Sequence, residues 1–523
     1  MHVTNTGVGS FRRFVAILAI CGAGAFAVPA LADTQPVAIQ AALQGNGPLV
    51  LVGRTLDRAQ LQTAYEKRGF APIWDEAHQQ SWFRALEEAD SHGLDHARYE
   101  VPQTRDVDRE LMLSDAFLRY ASALARGRVA PASFETDWRI AAPDFDAIKA
   151  LAAAGDGDVA TVLANLAPHD PAYARLREAL NRYLVLSQKS WHAFFTPNTI
   201  RPGEREEIVS QLRDRLALEG YVDPTVPVAD PLLYDDALAA AVSRFQTTHG
   251  IAPDGAVGRA TLAALNVSPS LRVRQIRWNL ERWHSLPRVD DVPLRIEVNV
   301  PAATATLYQD GAAPRVMRTI VGAVVHPTPV LRARMTSVLF NPAWHVPNSI
   351  IQNEIRPMLQ RDPGYLKRFG FAYQDTPNGG KQLVQLPGAT NSLGRVKFEM
   401  PNSDDIYMHD TPERGLFGLA RRYISHGCVR VEDPRELARI LLASDQWSRD
   451  TINDTIDAGA SKSVPLKRSL PVYILYWTAF VDADGTVEFR DDIYSRDRRL
   501  AEALAARDAA DHLSVTANNG KSG

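Results

Sequence analysis

A chain of 523 residues with 45% hydrophobic and 23% charged side chains has the composition of an ordinary globular protein and the length for roughly three domains. A formal charge of −3 gives no reason to expect nucleic acid as a partner, and no apolar stretch after the N-terminal leader is long enough to span a bilayer. The only cysteines are Cys21 and Cys428, which excludes a disulfide framework.

In chain order, Arg12 and Arg13 precede the apolar stretch Phe14 to Val28, and Ala30-Leu31-Ala32 supplies small residues where a signal peptidase reads. Residues 1–32 therefore read as a secretory signal. Gly22, Gly24 and Pro29 interrupt the stretch, which argues against a retained anchor, and Ile20 is too large for the position before a lipidated cysteine. Cleavage would remove two arginines and no acid, taking the net charge to about −5. It would also leave Cys428 as a single unpaired thiol in an exported protein.

Residues 33–200 read as a helical scaffold, with apolar residues at three- and four-residue spacing in stretches such as Leu111 to Arg126. The cluster Tyr65, Phe70, Ile73 and Trp74, followed by Gly93-Leu94-Asp95, is better read as helical core with a capping glycine than as a carbohydrate-stacking surface. Residues 201–270 read as a small three-helix bundle. Ile208, Leu212 and Leu216 stripe a helix ended by Gly220, and Leu238, Ala241, Val242 and Phe245 stripe a second. A Pro253-Asp254-Gly255 turn and a short helix over Thr261 to Leu265 follow. The run Ala241 to Gln246, then His249-Gly250-Ile251, Asp254 to Gly258, Thr261 and Leu265 resembles the peptidoglycan-binding module of wall enzymes.

From Pro293 the period becomes that of strands: Leu294, Ile296, Val298 and Val300 alternate with polar residues, and Gln309-Asp310-Gly311 marks a hairpin. Further strands are expected over Arg315 to Gly322, Thr336 to Phe340, Arg395 to Met400, Ile406 to His409, Cys428 to Val431, Val472 to Val481 and Thr486 to Tyr494. Asp433-Pro434 predicts a capped helix through Leu442. The acidic turn Asp482-Ala483-Asp484-Gly485 is read as a hairpin turn, because the spacing of calcium ligands runs out. The fold class is multidomain α+β: scaffold, bundle and a mostly antiparallel, sandwich-like β domain over 271–495. Residues 348–385 interrupt that domain as an insertion able to cap a cleft. Residues 496–523 are expected to be a C-terminal helix and a disordered tail, the disorder beginning near Asp511.

Ser425-His426-Gly427-Cys428-Val429-Arg430, with His409 upstream, concentrates reactive chemistry in one segment. A free thiol needs a neighbouring imidazole or backbone donors to react as thiolate at neutral pH. His426 and Arg430 flank Cys428 at two-residue spacing, on the same face of an extended strand, and His409 arrives from the preceding strand. The amides around Gly427 and Cys428 are placed to meet a developing oxyanion, and Arg430 adds charge that favours thiolate or holds a substrate carboxylate. The bland alternative is a buried strand cysteine between satisfied histidines; the concentration of groups favours a thiol-dependent acyl-transfer enzyme. No zinc spacing is present, and neither metal nor cofactor is called for.

These residues closely resemble the signature of the L,D-transpeptidase family. The surrounding text agrees, in Asn341 to Pro347, Leu386-Pro387-Gly388, Asn391 to Arg395, Met400-Pro401-Asn402 and Ile406 to Pro412. The likeness is to the large Gram-negative subclass, in which scaffold and wall-binding module accompany the catalytic domain. It implies a peptidoglycan-remodelling acyltransferase of the periplasm, associated with the cell wall, in which Cys428 is the nucleophile and His409 the general base. The carbonyl of Asp410 would orient that base, and His426 and Gly427 would shape the oxyanion site. Tyr407, Arg430, Trp344 and Asp410 are the substrate-contact candidates. Many relatives carry Gly or Ser at the position of Asp410, so the resemblance leaves open whether its carboxylate faces His409. It leaves equally open whether Trp344 packs in a core. Implied partners are peptidoglycan stem peptides and glycan, carbapenems that acylate the thiol, and wall-synthesis proteins. A carboxypeptidase or a wall-protein attachment enzyme would share the thioester, and a non-enzymatic wall-binding protein would need none of it.

Overall fold

The computed structural model describes residues 34–288, 294–443 and 447–516. The signal over 1–32 and residues 517–523 of the expected tail lie outside the described residues. Among the described residues no helix is long and apolar enough to cross a membrane.

Scaffold helices form where an aspartate can cap them. Asp57, Asp75, Asp146, Asp158 and Asp170 each accept backbone N–H groups at the starts of Arg58–Lys67, Glu76–Glu87, Ala147–Gly155, Val159–Ala164 and Pro171–Ser187. Such caps contribute about 1 kcal/mol each. The long helix Asp106–Arg126 runs through the centre. Tyr65, Ile73 and Trp74 pack against it as core: the Tyr65 hydroxyl donates to Glu110 and the Trp74 indole N–H to Ser114. Phe70 packs against that core only partly buried, and Gly93 takes φ +80° in the turn after Glu76–Glu87, a conformation glycine adopts without strain.

The three expected bundle helices are Glu207–Leu218, Asp236–Thr248 and Arg259–Leu265, around a separate core of Leu212, Leu216, Leu238, Val242, Phe245 and Leu265. Val209, rather than Ile208, is the fully buried residue of the first turn. The Phe-Gln helix end and the Asp-Gly turn go together for a visible reason. The Gln246 amide donates to Asp254 Oδ1 at 2.8 Å and to the Ala256 carbonyl at 2.9 Å, and accepts from the Gly255 N–H at 2.9 Å.

Helix Pro269–His284 packs on the scaffold helix Pro171–Ser187, so the expected boundary at 271 falls inside a helix that belongs to both neighbours. The β domain is one nine-stranded sheet. Along the chain its strands are β1 (Arg295–Asn299), β2 (Thr304–Tyr308), β3 (Arg315–Gly322), β4 (Leu331–Phe340), β5 (Val396–Glu399), β6 (Met408–His409), β7 (Tyr423–Ser425), β8 (Val429–Val431) and β9 (Lys462–Leu475). Their order is β7-β3-β8-β6-β5-β4-β9-β1-β2, and β2 also pairs with β3, so the sheet closes on itself and only β7 is left at an edge. Three pairings are parallel, β6 with β8, β9 with β1 and β7 with β3; the others are antiparallel. Alternation fills the interior with Ile296, Val298, Leu307, Val338, Phe398, Val429, Val431 and Ile474, all fully or almost fully buried. Each contributes about 1.5–3 kcal/mol of transfer free energy.

Asp433 caps the helix Pro434–Leu441 as expected. The acidic turn is a hairpin turn between Ala479–Val481 and Val487–Phe489, where Asp482 Oδ1 accepts the N–H groups of Asp484 and Thr486. The C-terminal helix extends over Arg496–Thr516, past the Asp511 point at which disorder was expected.

The insertion, whose sequence reads as helical and loop in character, also contains strands. Short helical turns over Asn348–Arg361 and Tyr365–Arg368 lead into strands Phe371–Asp375 and Lys381–Gln385. Trp344–His345 pairs with the second of these strands, so the unit begins a few residues before Asn348. It has a small core of its own, Val346, Ile355 and Leu383.

Candidate active site

Strand pairing builds the floor of a cleft of about 940 Å³ between the β domain and the insertion. β6 and β8 run parallel with Met408 opposite Val429 and His409 opposite Arg430; continuing the register sets Cys428 opposite Tyr407. The period of two then points Tyr407, His409, Cys428 and Arg430 to one face, and all four line the cleft. β5 adds Lys397 directly opposite His409. A row of Lys397, His409 and Arg430 thus crosses three strands, beside Tyr407 and Cys428.

The segment before Cys428 is locked by its own hydrogen bonds. Ser425 Oγ donates to the Cys428 carbonyl at 2.6 Å and accepts from the Gly427 N–H at 3.2 Å, while Thr328 Oγ1 donates to the Gly427 carbonyl at 2.8 Å. Gly427 takes φ +109°, a region in which a side chain is strained. One expectation changes here. The Gly427 amide is occupied by Ser425 and does not point at an oxyanion, which leaves that task to other donors.

His409 is 4% exposed, and its Nδ1–H donates to the Asp410 carbonyl at 2.6 Å. That bond fixes the tautomer and leaves Nε2 as the acceptor. Burial, followed by the charge of Arg430, pulls the imidazole down to about 3, with Lys397 adding to the same direction. The imidazole is therefore neutral at neutral pH. Burial likewise pushes the Cys428 thiol up, against the pull of Tyr407, Lys397 and Arg430 toward thiolate. The composition of the segment predicted a thiol ionised at neutral pH. The folded site reverses that direction, because the cost of desolvating a charge exceeds what the neighbouring cations return.

The Tyr407 hydroxyl lies close to Cys428 and to Trp344, close enough to act on its ionisation, and the Lys397 ammonium sits 4.3 Å from its ring centroid. Trp344 is half-buried, at the joint between insertion and floor, and lines the cleft. The Cys428 thiol also faces the Asp405 carbonyl at 3.8 Å. Arg430 Nη1 is paired with Glu413 at 2.8 Å, while its buried Nε has no hydrogen-bond partner.

Two expected site residues are placed differently from the rest. The Asp410 carboxylate turns away from the cleft and accepts from the Arg395 N–H at 2.8 Å, the Thr411 N–H at 2.7 Å and Arg414 Nη2 at 2.7 Å. Only its carbonyl meets His409, so it neither lines the cleft nor faces the imidazole with its charge. His426 lines the cleft, but its Nε2 is taken by Glu354 of the insertion at 2.6 Å, and its ring lies tilted against that of His326 at 4.8 Å between centroids. The sequence reading missed Lys397, Asp405 and Glu354. Lys397 was discoverable, since it alternates with the apolar Val396 and Phe398 on a predicted strand; Glu354 and Asp405 carried no local signal.

Three family models match: a scaffold domain over residues 59–180, a "Putative peptidoglycan binding domain" over 205–265 and an L,D-transpeptidase catalytic domain over 293–469. A Haemophilus influenzae protein described as "Putative L,D-transpeptidase" is 32% identical over 242 residues, 43% of this chain and 49% of that protein. The chain thus spans about half the length of this curated relative. Solved structures with likeness include an L,D-transpeptidase from Xylanimonas cellulosilytica, with 16% identity, 54% of this chain and 100% of that chain covered, and a TM-score of 0.18. Another, from Stackebrandtia nassauensis, has 14% identity, 55% and 97% coverage and a TM-score of 0.21. Scores this low carry no argument about architecture. The sequence models do: over residues 293–469 the chain carries an L,D-transpeptidase catalytic domain, together with a scaffold domain and a peptidoglycan-binding domain.

Proposed function

We propose that this protein is a cysteine-dependent L,D-transpeptidase of cell-wall peptidoglycan, acting outside the cytoplasmic membrane. The observation that carries the reading is the shared floor of Cys428, Tyr407 and His409 in one cleft, inside the segment matched by the catalytic-domain model. The donor is a stem tetrapeptide ending in a diamino acid and D-alanine. As the thiol sulfur attacks the carbonyl between them, its proton passes to His409 Nε2, which then delivers it to the departing D-alanine amine. A thioester remains on Cys428. The side-chain amine of a diamino acid on a neighbouring stem attacks it, loses its proton to His409 and restores the thiol, giving a 3-3 crosslink. The Tyr407 hydroxyl and the Cys428 amide are the donors assigned to the developing oxyanion. Arg430 and Lys397 make the floor cationic, a setting suited to the carboxylates of the stem. The neutral resting pair suits this chemistry, because a neutral imidazole can take the proton at the moment of attack.

The test is product analysis with purified disaccharide-tetrapeptide. Loss of D-alanine with accumulation of 3-3 dimers, absent in Cys428→Ala, is the expected result. Tripeptide without dimers would replace the reading by a carboxypeptidase; no turnover with any donor, and no adduct with a carbapenem, would overturn it.

A further inference from the structure

The thiol of Cys428 is held from the scaffold side. Its sulfur faces the carbonyl of Asp405 at 3.8 Å, and Asp405 is held at φ +51°, in the left-handed region that strains a non-glycine residue. The loop around it is braced internally by Asn402, whose side chain donates to the carbonyls of Met400 and Ile406 and accepts the N–H groups of Asp404 and Ile406. Arg139 braces it from outside. Arg139, far away in sequence on the scaffold, grips the Asp404 carboxylate with both arms, Nε to Oδ2 at 3.0 Å and Nη2 to Oδ1 at 3.1 Å. Arg139 is itself fixed. Its backbone N–H donates to the Val330 carbonyl at 2.7 Å, its Nη1 donates to the Thr136 carbonyl at 2.5 Å, and the Val330 N–H donates to the Asp137 carbonyl at 3.0 Å.

A second strut runs beside the first. Arg496, fully buried, pairs with Glu135 at 2.7 Å and donates to the Thr328 carbonyl at 3.1 Å, while the Thr328 hydroxyl holds the Gly427 carbonyl. The scaffold stretch 135–139 therefore reaches both sides of the nucleophile, one through the Asp405 peptide and one through the Gly427 peptide.

We propose that Arg139 is a positioning residue for Cys428, acting through Asp404 to aim the Asp405 carbonyl at the thiol. The carbonyl accepts the thiol proton, which orients the sulfur and favours the neutral form. Releasing the loop then has two opposite effects. The sulfur loses its orientation, which slows acyl transfer, and the thiol loses an acceptor that only the neutral form can use, which makes it easier to ionise. Loss of folding would also slow acylation and, by relieving burial, lower the midpoint, so the expected pattern must come with an unchanged melting temperature and be reversed in the exchanged pair.

The experiment uses the whole chain and compares wild type, Arg139→Ala, Asp404→Ala and the exchanged pair Arg139→Asp with Asp404→Arg. Two readings are taken on each: the pH midpoint of Cys428 alkylation by iodoacetamide, and the rate of acylation by stem tetrapeptide or a carbapenem. The expected result is an acylation rate about tenfold lower in each alanine variant. It comes with an alkylation midpoint shifted down by about half a pH unit, and with both values returned toward wild type in the exchanged pair. Unchanged midpoints and rates would overturn the proposal. So would slow acylation with an unchanged midpoint and a lowered melting temperature, which marks a structural role alone. Alkylation needs no substrate, so failure of the wild type to turn over stem peptide would count against the transpeptidase reading and leave the positioning test intact.

Discussion

The floor of the cleft and the insertion that faces it are built on different principles. The floor is laid on paired strands of a closed sheet around a buried imidazole: His409 is 4% exposed, Phe398 and Val429 beneath it not at all, and Cys428 beside it is half-buried. The insertion has a core of three fully buried residues and meets the floor through half-exposed contacts, His426 with Glu354 and Trp344 with Tyr407. Burial sets the protonation states on which the proposed chemistry depends; to the insertion, whose contacts are individually weak, the proposal assigns only the access of substrate. Variants in the two regions should therefore fail differently.

The largest effect belongs to the nucleophile. Cys428→Ala removes every covalent adduct with stem peptide or carbapenem while leaving the melting temperature near that of the wild type, which intact-protein mass and thermal unfolding together check. His409→Gln comes next. It keeps a polar group in the site but removes the proton acceptor, and single-turnover acylation should fall about 10³-fold. A fall of only a few-fold would move the base elsewhere.

The same histidine carries a stability consequence. Its folded pKa of about 3 lies below its ordinary value of 6.5, so between those values the unfolded chain binds the extra proton and stability falls as pH falls. Burial also holds His284 down, to about 4, and places it in the same acid window. His409→Gln should lose less stability on acidification, by about 2 kcal/mol at pH 5, measured by denaturant unfolding at several pH values. Equal acid losses in variant and wild type would contradict the assigned protonation state.

The smallest effect is at the insertion. His426 and Glu354 are both partly exposed, and such pairs contribute about 0–1 kcal/mol. Glu354→Gln should change KM for soluble stem peptide by up to about fivefold with kcat little altered. A loss in kcat matching that of His409→Gln would erase the distinction between floor and insertion.

Legibility in the sequence follows the same division. Helix caps, apolar stripes and strand alternation were readable because each is a local pattern, and the resemblance around His409 and Cys428 rests on contiguous motifs. The two-residue spacing set His426, Cys428 and Arg430 on one face of a strand; all three line the cleft, although the strand begins only at Val429. The closure of the sheet was not readable, since it depends on β2 meeting β3 as well as β1. Nor was the direction of ionisation at Cys428: cations nearby in sequence argue for thiolate, and only the folded packing shows that desolvation prevails. Asp410 illustrates the limit most sharply. Its position beside His409 suggested electrostatic tuning, yet three donors from Arg395, Thr411 and Arg414 turn its carboxylate the other way.

At the centre of the proposed mechanism is Cys428 as a neutral thiol beside a neutral imidazole. Titrating the ultraviolet absorbance of the thiolate, wild type minus Cys428→Ala, measures this directly. The prediction is a midpoint above the ordinary thiol value and no thiolate at neutral pH, in wild type and His409→Gln alike. A wild-type midpoint well below neutrality that disappears in His409→Gln would reveal a preformed thiolate and imidazolium pair, and would contradict the account.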